Sequence, residues 1–379
     1  MASVLLSNHG SALLATLSRP SSLNSLTAEM LTHLSRVPSL PCSAVILRGA
    51  GGRAFCAGGD VRAIYDLRGQ SQQSRFFRDE YFLDWSLARH AVSTAPHIAI
   101  WDGVVMGGGV GISAHAPLRV ATERTLWAMP ETAIGLLPDV GGSFFLPRLP
   151  HFGLGLYLGL TGARLSGPDS VHAGVASHFV SSKNIDALVA DLAEIPSAES
   201  SSYAERLTAA TLIVERHATP KNHLPSFSLA GVASDLIQRV FGCHDGGVRG
   251  LFSRLDKEAN QGGALGKEAE TVRTTLSRMS PTSLYITAEQ FRRGAVATSS
   301  LGSCLATELR VVCAILSSPS SDFYEGVRAV LIDKGKGAPP AWSPASLNQV
   351  DEAAIIDFFD RGDVADGEEM LRKMGHHDR

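Results

Sequence analysis

An apolar strand runs into a triple-glycine turn in the stretch IAIWDGVVMGGGVG, residues 98–111. A second glycine turn, FCAGGD at residues 55–60, follows the apolar run AVIL at residues 44–47. Glycine turns at strand ends release backbone N–H groups from the sheet, and such groups bind oxyanions, especially where a helix begins. If one amide from each turn points at the same oxygen, the two turns form an oxyanion hole.

Taken alone, the glycines would also fit a nucleotide site or simple close packing. Residues 109–114, GVGISA, match the dinucleotide fingerprint G-x-G-x-x-A. That motif needs an acidic residue ending the next strand about 20 residues further on, whereas Glu123 comes too early and Glu131 follows a proline. The plainer alternative is that the glycines only let strands and helices pack closely. Two turns after two strands, with carboxylates soon after, favour the oxyanion site.

A third segment, MPETAIGLLPDVGG at residues 129–142, carries two acidic residues. Glu131 and Asp139 each follow a proline and lie among apolar residues. Partial burial would raise the pKa values of these carboxyl groups toward the range useful for proton transfer. The alternatives are that Asp139 caps a helix starting near Val140, since Asp is a preferred cap, and that Glu131 lies on a surface loop.

Strands and helices alternate along the first half of the chain, which predicts an α/β fold built from strand-strand-helix units. Thr27 is expected to cap a helix, and Ser280-Pro281-Thr282 to begin one with proline at its first position. Ser-, Ala- and Gly-rich runs between about 197 and 280 predict loops between helices. The predicted strands are 3–7, 12–17, 44–47, 98–101, 118–121 and 126–128, and the predicted helices are 27–37, 76–92, 153–160, 168–174, 283–293 and 300–317, with further helical structure at 323–332 and 350–360.

The 379-residue chain has the composition of an ordinary globular protein, with 44% hydrophobic and 19% charged residues. A net charge of -3 without dense Lys/Arg runs argues against nucleic-acid and membrane partners. The 5 cysteines show no C-x-x-C spacing, which argues against a disulfide framework and a zinc site and favours a reducing compartment. The adjacent His376 and His377 are interpreted as part of a solvated end rather than as metal ligands. No apolar stretch reaches the roughly 18 residues of a membrane span, and no presequence is recognised ahead of the first strand.

These segments together resemble the crotonase superfamily, and the likeness extends over nearly the whole chain except about 197–270. It is carried by FCAGGDVR at 55–62, MGGGVGIS at 106–113, RVATE at 119–123, MPET at 129–132, PDVGG at 138–142, SPTSL at 280–284 and YEGVRAVLIDK at 324–334. The resemblance implies a spiral of ββα units with a helical C-terminal region. It further implies an acyl-CoA-binding core over residues 1–205 and a helical region over 206–379 that covers the active site.

The resemblance also implies a role for each candidate site residue. It assigns the backbone amides of Gly59 and Gly108 to the oxyanion hole, and the carboxyl groups of Glu131 and Asp139 to catalysis. Substrate contacts are implied for Glu80, Gly108, Glu131 and Asp139. Glu80 stands in RDEY, residues 78–81, at the place that the family motif gives it. The alternative for Glu80 is a solvated charge on the predicted helix.

Gly111 distinguishes between activities within the superfamily. Hydratases resembling this chain carry a glutamate at that place, so the acid pair that adds water across a double bond is incomplete here, whereas thioester hydrolysis remains available. The narrower resemblance is to the branch that hydrolyses short hydroxyacyl-CoA thioesters, and it implies 3-hydroxyisobutyryl-CoA of valine breakdown as substrate. Trp127 and Leu137 stand where phenylalanine is expected, which would reshape the acyl pocket.

Two alternatives to hydrolysis remain open: enoyl-CoA isomerisation or hydration, and a catalytically silent mitoribosomal subunit, against which the intact acids argue. In a hydrolase, Glu131 would attack the thioester or activate water, and Asp139 would assist proton transfer to the CoA sulfur. No cofactor is implied, because coenzyme A is part of the substrate. The implied partner is acyl-CoA, without nucleic acid or membrane, in a homo-oligomer. The resemblance places the protein in mitochondria, and the cytoplasm stays open because no presequence is recognised.

Overall fold

A computed structural model describes residues 3–243 and 245–360 of the chain. The strands of the described residues are β1 (Val4–His9), β2 (Ala12–Leu17), β3 (Val45–Gly49), β4 (Ala54–Cys56), β5 (His97–Trp101), β6 (Val104–Met106), β7 (Leu118–Ala121), β8 (Leu126–Ala128), β9 (Leu165–Ser166) and β10 (His178–Phe179). The helices are α1 (Ala28–Leu34), α2 (Val61–Asp66), α3 (Ser71–Ser93), α4 (Gly108–Gly111), α5 (Gly142–Phe145), α6 (Leu154–Thr161), α7 (Gly167–Ala173), α8 (Ile185–Asp191), α9 (Tyr203–His217), α10 (Val232–Phe241), α11 (Gly247–Gln261), α12 (Gly263–Leu276), α13 (Pro281–Gly294), α14 (Leu301–Ser317), α15 (Asp322–Val327) and α16 (Glu352–Asp360).

The chain divides into two compact units, each assembled from separate stretches of sequence. The first unit contains Met1–Asp60, Phe82–Ala128 and Arg164–Ser228, and the second contains Val61–Tyr81, Met129–Ala163 and Leu229–Arg379. Every strand of the described residues belongs to the first unit, and the described part of the second unit is helical. The predicted division into residues 1–205 and 206–379 assigns one continuous stretch of sequence to each part, and it stays a prediction. His376 and His377 lie outside the described residues.

Each strand-strand-helix repeat of the first unit contributes one strand to each of two sheets. The larger sheet has the order β1-β2-β3-β5-β7-β10, and the smaller has the order β4-β6-β8-β9. The pairs β3/β5 and β5/β7 are parallel, as are β4/β6 and β6/β8. The successive repeats are therefore β3-β4, β5-β6 and β7-β8, each followed by helical structure, which is the predicted spiral.

The inner strands β3, β5 and β7 of the larger sheet are covered on both faces, which explains their nearly continuous apolar residues. Ile46, Ile98 and Val120 belong to a cluster that includes apolar side chains of α8 and α9. Their strand neighbours Leu47 and Ala99, which alternate to the other face, are also fully buried. Because the strands are covered on both sides, their ends are the places where backbone groups remain available.

Two helices begin at the predicted capping residues. The Thr27 side chain accepts a hydrogen bond from the Met30 amide at the start of α1, and the Ser280 side chain accepts one from the Ser283 amide at the start of α13. The predicted strands and helices are present, and several of their ends differ; the first two strands, β1 and β2, pair antiparallel as a hairpin. The first helix ends at Leu34 rather than Val37, and α3 begins at Ser71, five residues before the predicted start at 76.

The region 197–280 contains four helices, α9 to α12, whose extent the sequence interpretation did not give. Its serine-rich run does form a loop, and the last serine, Ser202, caps α9. The Ser202 side chain accepts from the Glu205 amide, and the Glu205 side chain accepts from the Ser202 amide. Gly262 separates α11 from α12, which agrees with the loops predicted at the glycine-rich runs of this region.

The dinucleotide alternative is wrong for this fold. The segment 109–114 lies in and just after α4, a helix of only 4 residues. A dinucleotide fold places consecutive strands in one open sheet with a long helix after the glycine turn. Here the two strands that precede the triple-glycine turn, β5 and β6, belong to different sheets.

Candidate active site

The first glycine turn leaves β4 and pairs with Leu26. The Leu26 N–H donates to the Gly58 carbonyl over 2.8 Å, and the Asp60 N–H donates to the Leu26 carbonyl over 2.8 Å. Gly59, between them, is the bridge partner of Leu26. Because successive residues of an extended chain direct their backbone groups to opposite sides, Gly59 points its own N–H away from Leu26.

The second glycine turn leaves β6 and opens α4. Gly107 adopts a φ of 46°, which only glycine adopts readily, and its carbonyl accepts from the amides of Val110 (2.7 Å) and Gly111 (3.1 Å). The amides of Gly108 and Gly109 come before Val110, the first residue whose N–H donates within the helix. They therefore belong to the group of N-terminal amides that a helix leaves without an internal acceptor.

The two glycine turns touch each other within the first unit. A Cβ atom built on Gly58 would lie 3.4 Å from the Met106 carbonyl oxygen and 3.7 Å from the Gly108 nitrogen. A Cβ atom on Gly109 would lie only 2.4 Å from the Cys56 carbonyl oxygen. Glycine is therefore required for this approach, so close packing is part of its role, and the approach brings the segments bearing Gly59 and Gly108 side by side.

The three candidate acids lie in the second unit and are all buried. Glu80 on α3 is 2% exposed, Glu131 is 5% exposed and Asp139 is 4% exposed. The alternatives of a solvated Glu80 and a surface Glu131 are therefore wrong. Asp139 is not a helix cap either, because α5 begins at Gly142 with Gly141 as its N-cap.

The three acids influence one another electrostatically. Burial, and then the charge of Asp139, raises the pKa values of both Glu80 and Glu131 well above their ordinary range. Burial raises the pKa of Asp139 to about 6. Glu80 Oε1 and Glu131 Oε2 have no hydrogen-bond partner among the described residues. These two buried oxygen atoms therefore keep their acceptor capacity for a bound ligand.

Tyr81, which the sequence interpretation did not include, fixes the position of Asp139. Its hydroxyl donates to Asp139 Oδ2 over 2.6 Å. This bond favours the ionised carboxylate and so opposes the rise in the pKa of Asp139 that burial causes. The available signal was its place directly after Glu80 in the recognised RDEY segment.

Glu308, also not included, is a fourth buried carboxyl group in the second unit. It is fully buried on α14, and burial raises its pKa to about 8 against the opposing effect of its hydrogen bonds. Those bonds come from the Gly141 and Ser143 amides and the Ser143 hydroxyl. The sequence offered one signal, a single acidic residue within the otherwise uncharged LGSCLAT and hydrophobic LRVVCAIL segments around it.

We expect the free energy of unfolding to fall by about 2 kcal/mol between roughly pH 6.5 and 8 because of Glu308 alone. Its pKa is raised from 4.5 to about 8 in the folded protein. The folded state therefore binds the proton that the unfolded state has already lost, and this stabilisation disappears as the pH rises through 8. Burial lowers the pKa of His97 to about 3 and of His115 to about 4, so these histidines act below this window.

Urea unfolding at several pH values measures how the free energy of unfolding changes with pH, and Glu308→Gln is the control. The variant should show a shallower decline over the same window, whatever its absolute stability. An equal slope in the two proteins would contradict the assignment.

No group of three or more His, Cys, Asp or Glu residues in the described part of the chain has the arrangement of a metal site. Within residues 3–243 and 245–360, no single helix is long and apolar enough to cross a membrane. One bent pair, Leu301–Ser317 with Asp322–Ile332 at 80°, passes that test on length and composition.

Backbone amides at touching glycine turns, as in the first unit, are groups that can stabilise an oxyanion, and buried carboxyl groups, as in the second unit, are groups that can transfer protons. A family model described as enoyl-CoA hydratase/isomerase matches residues 12–359. The chain belongs to this family, and the resemblance to the crotonase superfamily is confirmed.

Similar proteins are found among curated relatives and solved structures. A Danio rerio protein named 3-hydroxyisobutyryl-CoA hydrolase, mitochondrial, is 41% identical over 96% of this chain and 91% of its own length. A Dictyostelium discoideum protein of the same name is 38% identical over 94% of this chain and 91% of its own length. A crystal structure of a carnitinyl-CoA dehydratase from Mycobacterium thermoresistibile is 35% identical, with a TM-score of 0.79, over 95% of this chain and 96% of that one.

Proposed function

We propose that this enzyme hydrolyses 3-hydroxyisobutyryl-CoA to 3-hydroxyisobutyrate and free coenzyme A. Relatives with that name are 38% to 42% identical over nearly the full chain. The observation that carries the choice is Gly111. It is a buried residue of α4, at the place where the resembling hydratases carry their second glutamate. A glycine has no side chain to transfer a proton, whereas Glu131 and Asp139 remain for hydrolysis.

The oxyanion hole of the proposed mechanism consists of the Gly59 and Gly108 amides. Attack on a thioester carbonyl converts its oxygen into an oxyanion, and each N–H group that donates to it lowers the barrier. Removal of one such donor typically costs about 3 kcal/mol, or two to three decades in rate. The contact between the two glycine turns supports this role, because it holds both backbone segments in fixed positions.

Glu131 would begin the reaction by one of two routes. In the first, its carboxylate attacks the acyl carbon, the C–S bond breaks, and water then hydrolyses the resulting mixed anhydride. In the second, Glu131 takes a proton from a water molecule whose oxygen attacks the acyl carbon, and the C–S bond breaks as the carbonyl re-forms. Both routes need the ionised form of Glu131, which burial and the charge of Asp139 disfavour, and its buried and unpartnered Oε2 is the atom that would act in either route.

Asp139 would deliver a proton to the departing coenzyme A sulfur. Burial raises its pKa to about 6, which keeps a fraction of the carboxyl groups protonated near neutral pH. A carboxyl group with a raised pKa can both donate and recover a proton during each turnover. Glu80 would contact the acyl end of the substrate, where its buried Oε1 supplies an acceptor for a hydroxyl group.

The test is the release of free thiol from a panel of short acyl-CoA thioesters. We expect the highest kcat/KM with 3-hydroxyisobutyryl-CoA, and lower values for acyl groups without the hydroxyl. Loss of enoyl absorbance with an enoyl-CoA is measured in parallel. Enoyl-CoA turnover without thiol release would favour the second candidate, a hydratase or dehydratase, which the name of the Mycobacterium structure suggests. Absence of both activities together with co-sedimentation with ribosomes would favour the silent subunit.

We expect Tyr81→Phe to lower kcat about 10-fold and to move the alkaline limb of the pH profile to higher pH. The Tyr81 hydroxyl stabilises the ionised Asp139, so its removal raises the pKa of Asp139 and keeps the acid protonated to higher pH. The measurement is kcat as a function of pH. Tyr203→Phe is the matched control, because the Tyr203 hydroxyl donates to the Ala91 carbonyl, a bond within the first unit that does not involve Asp139. An unchanged profile in Tyr81→Phe would contradict the proton-donor role of Asp139.

The remaining parts of the proposal rest on the family. The enzyme is proposed to need no cofactor, because coenzyme A enters and leaves with the substrate, and to bind neither nucleic acid nor membranes. A homo-oligomer is proposed by analogy, and sedimentation velocity tests it. Mitochondrial location is proposed from the names of the relatives, with the cytoplasm as the alternative, and imaging of the tagged protein separates the two.

A further inference from the structure

The turn that carries Asp139 is held by helices far away in sequence. Gln290 on α13 donates through Nε2 to the Pro138 carbonyl over 2.8 Å. One helical turn further along, Gly294 lies so close that an added Cβ would be 2.0 Å from the Ser143 carbonyl oxygen. Both ends of the segment from Pro138 to Ser143 are therefore fixed against α13.

The centre of the turn is bound by Glu308 of α14. Glu308 Oε2 accepts from the Gly141 amide over 2.8 Å, and Oε1 accepts from the Ser143 amide over 3.0 Å and the Ser143 hydroxyl over 2.5 Å. Between Asp139 and these donors lies Val140, whose φ is 51°. A β-branched residue in the left-handed region costs free energy, and it persists only where surrounding contacts impose it.

We propose that Glu308 is a positioning residue for the reaction, whose carboxyl group fixes the Asp139 turn in the conformation that catalysis needs. The inference rests on the hydrolase function proposed above. Gly141 and Ser143 follow Asp139 by two and four residues, so their bonds to Glu308 set the direction in which the chain leaves Asp139. On its other side, Asp139 is fixed by the Tyr81 hydroxyl at 2.6 Å.

The geometry requires a carboxyl group and not only a polar side chain. Each of the two Glu308 oxygens accepts from a backbone N–H group, and a carboxyl group keeps a lone pair for such a bond on each oxygen whether or not it is protonated. A glutamine at this position would have to turn its NH2 group toward one of those two N–H donors, where no hydrogen bond can form. The turn would then lose one anchor, and Val140 could relax out of its left-handed conformation.

Loss of that anchor should be visible mainly in the chemical step. A misplacement of a catalytic group by about 1 Å can reduce the rate about 100-fold. Because Glu308 itself is fully buried and bonded to the turn, its replacement should leave the binding of coenzyme A largely unchanged. The expected signature is thus a fall in kcat with little change in KM.

The test compares Glu308→Gln with two controls in the full-length protein, using the preferred thioester. We expect kcat to fall about 100-fold in Glu308→Gln, with KM within about threefold of wild type. Glu289→Gln removes a carboxylate that accepts from Arg292 and Arg293 on α13, and it should retain the wild-type kcat. Ser143→Ala removes only the hydroxyl donor and leaves both amide bonds, so its kcat should lie within about fivefold of wild type.

Hydrogen exchange of the Gly141 and Ser143 amides provides a readout that does not depend on activity. Both amides should exchange slowly in the wild type and in Glu289→Gln, and at least one should exchange faster in Glu308→Gln. If Glu308→Gln does not fold, Glu308→Asp decides, because it keeps the acid but is one methylene too short to reach both amides. A kcat at least tenfold lower at unchanged KM in that variant supports the proposal.

A folded Glu308→Gln or Glu308→Asp protein with wild-type kcat and protected turn amides would overturn the positioning role. So would a loss of activity that only matches a lower folded fraction. Failure of the hydrolase proposal looks different: the wild type would release no thiol from any acyl-CoA. Exchange of the two amides would in that case still report whether Glu308 holds the turn.

Discussion

Replacement of Glu131 by glutamine should reduce kcat for thioester hydrolysis about 1,000-fold or more, with only a modest change in the affinity for coenzyme A. Glutamine has nearly the same shape but can neither attack the acyl carbon effectively nor take a proton from water. Both proposed routes therefore fail in the same variant. Thiol release under substrate saturation measures kcat, and calorimetric titration with free coenzyme A measures binding.

The same substitution should not weaken the fold. Burial already disfavours the charged form of Glu131, and its Oε2 has no partner among the described residues. A neutral amide avoids the repulsion from Asp139, so we expect an unfolding midpoint equal to or above that of the wild type. Glu123→Gln is the control, because Glu123 is exposed and accepts from Ser182 at the surface. Retained hydrolysis in Glu131→Gln would rule out the assigned role.

Substitution of Gly109 by alanine should reduce both stability and activity. The new Cβ would lie 2.4 Å from the Cys56 carbonyl oxygen and 2.7 Å from the Cys56 Cβ, so the two glycine turns must separate. Overpacking of this kind typically costs about 1–3 kcal/mol. Displacement of the neighbouring Gly108 amide should in addition lower kcat by about two to three decades.

Val110→Ala separates these two effects of the Gly109 substitution. It shortens a fully buried side chain of the same helix and adds no atom between the turns. Its loss of stability should be of similar size, while kcat at a temperature where both variants are folded should stay within about fivefold of wild type. Equal kcat values in the two variants would contradict the proposal that the alignment of these turns matters for catalysis.

The repeating part of the fold was predictable because its signals are local. Apolar runs gave the strands β7 and β8 with their observed ends, and Thr27 and Ser280 gave two helix starts. The four helices between 203 and 276 were missed as elements, although Ser202 and Glu205 form a capping box that the sequence contains. The serine-rich composition around Ser202 favours a loop and so obscures that signal.

The candidate site was predictable only where its residues lie in glycine- or proline-marked segments. Glu131 and Asp139 stand after prolines, and both glycine turns follow strands. Asp139 also looked like a helix cap, because the positive φ values of Val140 and Gly141 that delay α5 to Gly142 cannot be read from the residue types alone. Glu308 contacts a turn 165 residues away in sequence, and no local pattern reports such a contact.

The pairing of β4 with β6 has a consequence for how this enzyme family can diversify. These strands are parallel neighbours, and each ends in one of the two glycine turns. Neighbouring strands lie about 4.8 Å apart in any sheet, so the separation of the turns is set by backbone hydrogen bonding and not by loop length. A change of length in the loop between α2 and α3 would leave that separation unchanged. If these turns supply the proposed oxyanion donors, side chains around them can change while the donors keep their spacing.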